Sequence, residues 1–170
     1  FHKWEFDAAG GALAHIPYSA LPPGEVGLKM HATRELDGMV LMWYHPHGSA
    51  PEFEPFETPL SRNQDGWVLY GVKEWITTCP MRDLIENMFD GPHIVYLHNG
   101  GGAPELKSLA RTPYGMRVDY ASDPSQTDAG VTGFRSDFTG ITMNAQIFEG
   151  TAFTTQFYNT FTPIDDERFV

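Results

Sequence analysis

Most of the chain shows a strand-like distribution of apolar positions, and one stretch has the 3.6-residue period of a helix. K-M-H-A-T-R-E-L-D-G-M-V-L-M-W-Y-H (29–45) is two strand-like runs around Asp37-Gly38, a pair that supplies positive φ at low cost and predicts a hairpin. W-V-L-Y-G-V-K-E-W-I, entered through Asp65-Gly66, reads as a further strand. In T-C-P-M-R-D-L-I-E-N-M-F-D, Pro80 stands near the first turn, Asp83 follows early, and Leu84, Ile85, Met88 and Phe89 recur at helical spacing. This is the clearest helix in the chain. After a glycine loop, H-N-G-G-G-A-P-E-L (98–106), strands are expected in G-M-R-V-D-Y, G-F-R-S-D-F-T-G and the long N-A-Q-I-F-E-G-T-A-F-T-T-Q-F-Y-N-T-F. S-A-P-E-F-E-P-F-E-T-P-L (49–60) has apolar positions without a period and is expected to be an extended connector. A domain boundary is placed there, separating 1–60 from 61–170. The order of elements fits an antiparallel sheet with at least one helix, an α+β class, better than alternating βαβ units.

Composition narrows the function classes. The 170 residues are 41% apolar and 14% aromatic, enough for one well-buried core or two small ones. No apolar run approaches the roughly 20 residues of a membrane-spanning helix. A formal net charge of −11 without any Lys/Arg cluster argues against a nucleic-acid surface and leaves room for a small-molecule substrate or a basic protein partner. The single cysteine, Cys79, has no internal disulfide partner, which makes a reducing, cytoplasmic location the expectation, with any membrane association supplied by parts outside this chain. The chain opens on Phe1 and closes on a strand-like run, so a piece of a longer protein is expected.

Candidate chemistry is concentrated in E-N-M-F-D-G-P-H-I-V-Y-L-H (86–98). At about 100° per residue, Glu86, Asp90 and His93 fall within roughly 60° of one another, whereas His98 is about 140° from His93. Gly91-Pro92 breaks a regular helix, because Pro92 lacks an N–H and clashes with the preceding turn, so the helix is expected to bend or restart there and let both imidazoles converge. Neutral imidazole suits iron, zinc, copper or nickel, and two histidines with one carboxylate leave coordination positions open. Asp90 is either a ligand or an acceptor that fixes the tautomer of His93, and the short spacing favours the acceptor. The competing reading is a pair of ordinary helix-end histidines.

The opening F-H-K-W-E-F-D resembles the end of the second cluster-binding motif of Rieske proteins, C-P-x-H-x-W-x-F-D, with His2 at the second histidine and Lys3 where glycine is common. Asn87, Asp90, His93 and His98 match the N-x-x-D-x-x-H-x-x-x-x-H of Rieske non-haem iron oxygenases, roughly ninety residues downstream and in the right order. V-L-M-W-Y-H-P-H-G, R-D-L-I-E-N-M-F-D-G-P-H-I-V-Y-L-H and F-Y-N-T-F-T-P-I-D-D-E resemble the steroid-active branch, the 3-ketosteroid 9α-hydroxylases and cholesterol 7-desaturases. The resemblance implies the end of a β-rich Rieske domain followed by part of a helix-grip (START-like) catalytic domain with an apolar cavity. It implies a [2Fe–2S] cluster held in part by His2, and a mononuclear non-haem Fe(II) held by His93 and His98. Asp90 would link that iron to the Rieske histidine of a neighbouring subunit in a homotrimer. Electrons would come from NAD(P)H through a ferredoxin or reductase, and O2 would be activated beside a sterol or steroid-like substrate for hydroxylation or desaturation. The third iron ligand and the cluster cysteines are not matched in this chain. Asp165 and Asp166, in a strand-end turn, are not assigned to that role, so the chain by itself is expected to be inactive.

Two rival functions follow from other features. Arg111, Arg117 and Arg135 would suit the carboxylate of a small aromatic acid, the substrate of an aromatic-acid or ether oxygenase. A non-catalytic helix-grip lipid-binding domain would need the aromatic residues but not the iron. His45 and His47 in Y-H-P-H-G are expected in a surface turn, and His15 and His31 in solvent. Gly100, Gly101 and Gly102 lack the frame of a phosphate loop, and Cys79 is expected to be a buried small residue.

Overall fold

Asp37 (φ 49°) and Gly38 (φ 82°) both adopt positive φ. Two such residues make the tight turn whose twist matches that of the strands beside it. This computed structural model describes residues 2–20, 25–59, 62–98, 101–127 and 130–170, in two units, Phe1–Trp67 and Val68–Val170. In the first unit β1 (Glu5–Phe6) pairs with β2 (Leu13–His15), and the Asp37-Gly38 turn joins β3 (Thr33–Leu36) to β4 (Met39–Met42) in antiparallel register.

The segment from 49 to 59 forms neither helix nor strand, as its prolines require. It is tied to the hairpin by side chains. The fully buried Thr58 donates its hydroxyl proton to the Asp37 carboxylate. Trp43 donates Nε1–H to the Ser49 carbonyl at 2.8 Å and meets Phe53 edge-on at 5.1 Å between centroids. Y-H-P-H-G is a turn closed by Gly48 N–H on the His45 carbonyl at 3.0 Å. The Nδ1 atom of His45 accepts the backbone N–H groups of His47 and Ser49, so its lone pair is engaged within the turn. His15 is exposed, 3.6 Å from Glu5. His31 departs from the solvated placement expected, since Nδ1 lies 3.1 Å from the Trp43 carbonyl in a half-buried position.

The second unit is built on five antiparallel strands in meander order, β6 (Glu105–Thr112), β7 (Gly115–Ala121), β8 (Val131–Thr139), β9 (Met143–Gly150) and β10 (Thr154–Thr160). Alternation puts Val118, Tyr120, Phe134, Ser136 and Phe138 on one face. α1 (Met81–Met88) lies against that face. Leu84, Ile85, Met88 and Phe89 pack on the buried Phe138, Phe161 and Phe169, with the Phe89 and Phe138 rings 5.1 Å apart. Cys79 joins the same cluster, half-buried, as a small apolar residue would. A short pair, β5 (Thr77–Thr78) with β11 (Arg168–Phe169), brings Phe169 into it. Next to the aromatic core, the buried Asn144 donates to Ser136 Oγ at 2.8 Å and accepts from Asn159 at 3.1 Å, so these three side chains satisfy one another.

Two strand expectations are corrected. W-V-L-Y-G-V-K-E-W-I forms no strand before Thr77, and Val68, Tyr70 and Trp75 are exposed. Strand propensity expresses fit to a pleated surface, and this run finds no ladder to join among the described residues. Conversely, E-L-K-S-L-A-R-T, not singled out as a strand, is β6. It is an edge strand exposed along nearly its whole length, and a register shift between Leu106 and Ser108 scrambles its alternation. Gly100 of the glycine loop lies outside the described residues.

The opposite face of the sheet carries cross-strand charge pairs. Arg117 reaches Asp137 at 2.5 Å, and Arg135 reaches Asp119 at 2.6 Å. The Ser108 hydroxyl donates to Asp119 at 2.5 Å, and this bond, ahead of Arg135, holds the Asp119 carboxyl below the usual carboxylate range. A carboxyl depressed in the folded state contributes stability above its unfolded pKa and loses it as pH falls through the folded value. Ser108→Ala is therefore expected to cost about 1 kcal/mol at pH 7, discounted for partial exposure. The gap in melting temperature from wild type should close as pH is lowered past the unfolded value near 3.8. A gap that stays constant with pH would separate Ser108 from the Asp119 charge.

Candidate metal centre

The end of α1 is tightened before the chain turns. Phe89 N–H bonds to the Glu86 carbonyl at 3.1 Å and Asp90 N–H to the Asn87 carbonyl at 3.2 Å, three-residue closures typical of a helix terminus. Gly91 and Pro92 follow, and a second helix, α2, runs from His93 to His98. Its first turn is closed by Ile94 N–H on the Gly91 carbonyl and Val95 N–H on the Pro92 carbonyl. Pro92 sits ahead of the new helix, where a missing N–H costs nothing.

The elbow between the helices is packed against β7. The Tyr120 hydroxyl donates to the Phe89 carbonyl at 2.7 Å, capping an acceptor that the end of α1 leaves open. Gly91 is buried, and a Cβ there would stand 2.9 Å from Tyr120 Cε1, closer than carbon atoms approach. Burial pushes the Tyr120 phenol above its ordinary pKa, and the charge of Asp90 adds to that shift.

The helix restarts after Gly91-Pro92, one of the two outcomes expected, and the histidine rings come together. The Gly91-Pro92 break falls before both, so it re-aims α2 as a unit instead of bending the chain between them. The His93 and His98 ring centroids are 5.2 Å apart at 73°, brought together by side chains reaching over one short helix. The continuous polar stripe is absent for the same reason. Glu86 lies on α1 with its carboxylate 3.6 Å from Arg82, Asp90 lies in the link, and His93 starts α2.

His93 Nδ1 bonds to the backbone carbonyl of Asp90. A carbonyl only accepts, so the proton sits on Nδ1 and the Nε2 lone pair is left for a metal. The acceptor role foreseen for Asp90 is thus filled by its main chain, and its carboxylate is exposed, with no hydrogen bond or ion pair among the described residues.

Two imidazoles on one ion, at about 2.1 Å and with about 90° to 110° between the bonds, have centroids about 4.5 to 5.3 Å apart. The His93–His98 pair fits that requirement. It supplies two donors: among the described residues no three His, Cys, Asp or Glu side chains converge on a common point. Asp165 is occupied by Arg168, at 2.6 Å, beside β11. In the first unit, His2 is exposed and stands edge-on to Tyr18 at 6.3 Å, while Tyr18 accepts from Trp4 Nε1 at 2.6 Å. With Cys79 as its only cysteine, the chain offers a two-cysteine, two-histidine cluster His2 and no thiolate near it in sequence.

Tyr120 is the residue that sequence reading passes over. It lies far downstream of the elbow, and the one signal pointing to it is the inward phase of its strand.

The antiparallel sheet and the helical elbow that carries the two histidines lie within a stretch that matches a known family. The family model described as 3-Ketosteroid 9alpha-hydroxylase C-terminal domain matches residues 42–170, and the chain belongs to that family. Cholesterol 7-desaturase nvd of Xenopus laevis is 31% identical over 102 residues, 59% of this chain and 22% of that protein. Its Drosophila melanogaster counterpart is 30% identical over 98 residues, 58% of this chain and 23% of that protein. The oxygenase component of 3-ketosteroid-9-alpha-monooxygenase from Rhodococcus rhodochrous is 28% identical over 102 residues, 58% of this chain and 26% of that protein. The matched stretch thus spans about a quarter or less of the first two relatives.

Proposed function

We propose that this chain is part of the oxygenase component of a Rieske-type monooxygenase or desaturase acting on a sterol or steroid-like apolar substrate, and that residues 61–170 belong to its helix-grip catalytic domain. The observation that carries the reading is the His93–His98 ring pair at a spacing that suits one metal ion. Family membership and the printed names of the relatives support the substrate class.

In this reading His93 and His98 hold a mononuclear Fe(II) through nitrogen lone pairs, with a third ligand from outside the chain. That iron, when bound, supplies O2 activation beside the substrate. The Asp90 main chain fixes the His93 tautomer, and its carboxylate accepts hydrogen bonds from imidazole N–H groups, linking the site to the cluster histidine of a neighbouring subunit in a homotrimer. His2 is one ligand of a [2Fe–2S] cluster fed by a ferredoxin or reductase from NAD(P)H. A cytoplasmic location is part of the proposal. No helix among the described residues is long and apolar enough to cross a membrane.

The small-acid reading loses support from the arginines. Arg117 and Arg135 are engaged by Asp137 and Asp119 on the sheet face opposite Tyr120, and Arg111 lies on the exposed edge strand.

The test uses the full-length protein. Wild type is expected to carry mononuclear iron beside a reduced-cluster EPR signal, and to take up O2 with cholesterol or a 3-ketosteroid but not with an aromatic acid. His93→Ala and His98→Ala should each lose the mononuclear iron while keeping the cluster signal. A wild type without mononuclear iron would discard both enzyme readings in favour of a lipid-binding domain.

A further inference from the structure

We infer that Tyr120 is a positioning residue for the metal centre, acting through the α1–α2 elbow. The inference rests on the reading of His93 and His98 as iron ligands and adds a residue from the sheet to it. Three observations meet on this side chain. Its hydroxyl donates to the Phe89 carbonyl at 2.7 Å on one side of Asp90, and its ring packs against Gly91 on the other, so one side chain touches both ends of the link that contains Asp90. Its ring lies where any Gly91 side chain would be, which sets how closely the link approaches the sheet. The ring is also held from behind, stacked on Phe134 at 4.8 Å, and Phe134 stacks on Phe148 at 5.3 Å, so the clamp is anchored across three strands. Tyr120 itself is 8% exposed.

The route to the metal is short. The residue between the two clamped positions is Asp90, and the Asp90 carbonyl is the partner of His93 Nδ1. If the elbow relaxes, that carbonyl moves, the imidazole loses its fixed tautomer and aim, and the two rings no longer share a point. Partners that orient a ligating histidine typically matter about 10- to 100-fold in metal affinity. Tyr120 is placed to act one step further out, by holding such a partner still. A capping hydroxyl elsewhere on a helix end would contribute stability but have no line to the metal.

The distinguishing variant is Tyr120→Phe in the full-length protein, which removes the hydroxyl and keeps the ring against Gly91 and Phe134. Ferrous iron affinity is measured anaerobically against a competing chelator, with cluster iron counted separately, alongside thermal unfolding and the EPR spectrum of the nitric oxide adduct of the ferrous centre. The expected result is a loss of about tenfold or more in Fe(II) affinity and a broadened adduct spectrum, with the cluster signal unchanged. Gly91→Ala, which drives a methyl group into the same ring from the other side, should lower Fe(II) affinity in the same direction. Affinity within twofold of wild type in Tyr120→Phe, with an unaltered adduct spectrum, overturns the positioning role while leaving the iron site in place. Normal iron binding by Gly91→Ala overturns it equally should the Phe variant fail to fold. Absence of His93- and His98-dependent iron in the wild type itself overturns the proposed function and this inference together.

Discussion

Asp90→Ala in the full-length protein is expected to leave mononuclear iron bound and to lower coupled product formation by about 100-fold or more, the upper range for losing a group that supports a metal ligand from outside. The structure separates the two jobs of this residue. Its main-chain carbonyl, which any residue supplies, holds His93 Nδ1, so alanine keeps the imidazole in place. Its carboxylate contributes nothing to holding the elbow and is exposed, ready to meet a partner outside the chain. An ionised carboxylate has about four acceptor sites, enough to hold imidazole N–H groups on two sides at once, and a methyl group has none. The measurement is product formed per electron consumed, together with iron content. Normal turnover would discard the bridging role. Loss of iron would instead make the carboxylate a ligand, although among the described residues no third His, Cys, Asp or Glu side chain gathers with the ring pair.

Phe138→Ala should have the largest effect on stability, about 3 to 5 kcal/mol, because a large ring is deleted from a site that cannot close up. Phe138 is 3% exposed, meets Phe89 at 5.1 Å, and shares its cluster with Phe161 and Phe169 under the apolar stripe of α1. For a unit of about 100 residues, that corresponds to a fall of about 12 °C or more in its melting temperature. Phe138→Leu should cost less, since most of the volume remains. If Phe138→Ala melted within about 2 °C of wild type, α1 would have to be held by something other than this cluster, and Tyr120 would become its principal tether.

Legibility in the sequence followed the range of the interactions. The β3–β4 hairpin and α1 are encoded locally, in Asp37-Gly38 and in Pro80 followed by Leu84, Ile85, Met88 and Phe89, and both are where those residues put them. The 67–76 run and β6 were misjudged because a strand is defined by its neighbour, which sequence spacing does not name. At the site, the histidines and the break were legible as residue types. Their mechanics were not. Periodicity assumes one helix axis, and the chain begins a new axis at His93, so angles counted from Glu86 lose their meaning there. The Asp90 contact was hidden for a different reason, since the contributing atom belongs to the backbone and is the same for every residue. Gly91 was readable as a flexible position, whereas the reason it must lack a side chain is a ring contributed by β7.

The shifted register of β6 bears on self-association as well as on strand prediction. Among the described residues β6 closes one margin of the sheet, and the outer peptide groups of such a margin are a template for a strand from another molecule. At that margin the pairing is interrupted between Leu106 and Ser108, and Lys107 lies there with its ammonium 2.6 Å from Glu105. A kinked, charged border is a poor template for a straight incoming strand, so the sheet that anchors the Tyr120 clamp is guarded against growth by edge pairing on that side.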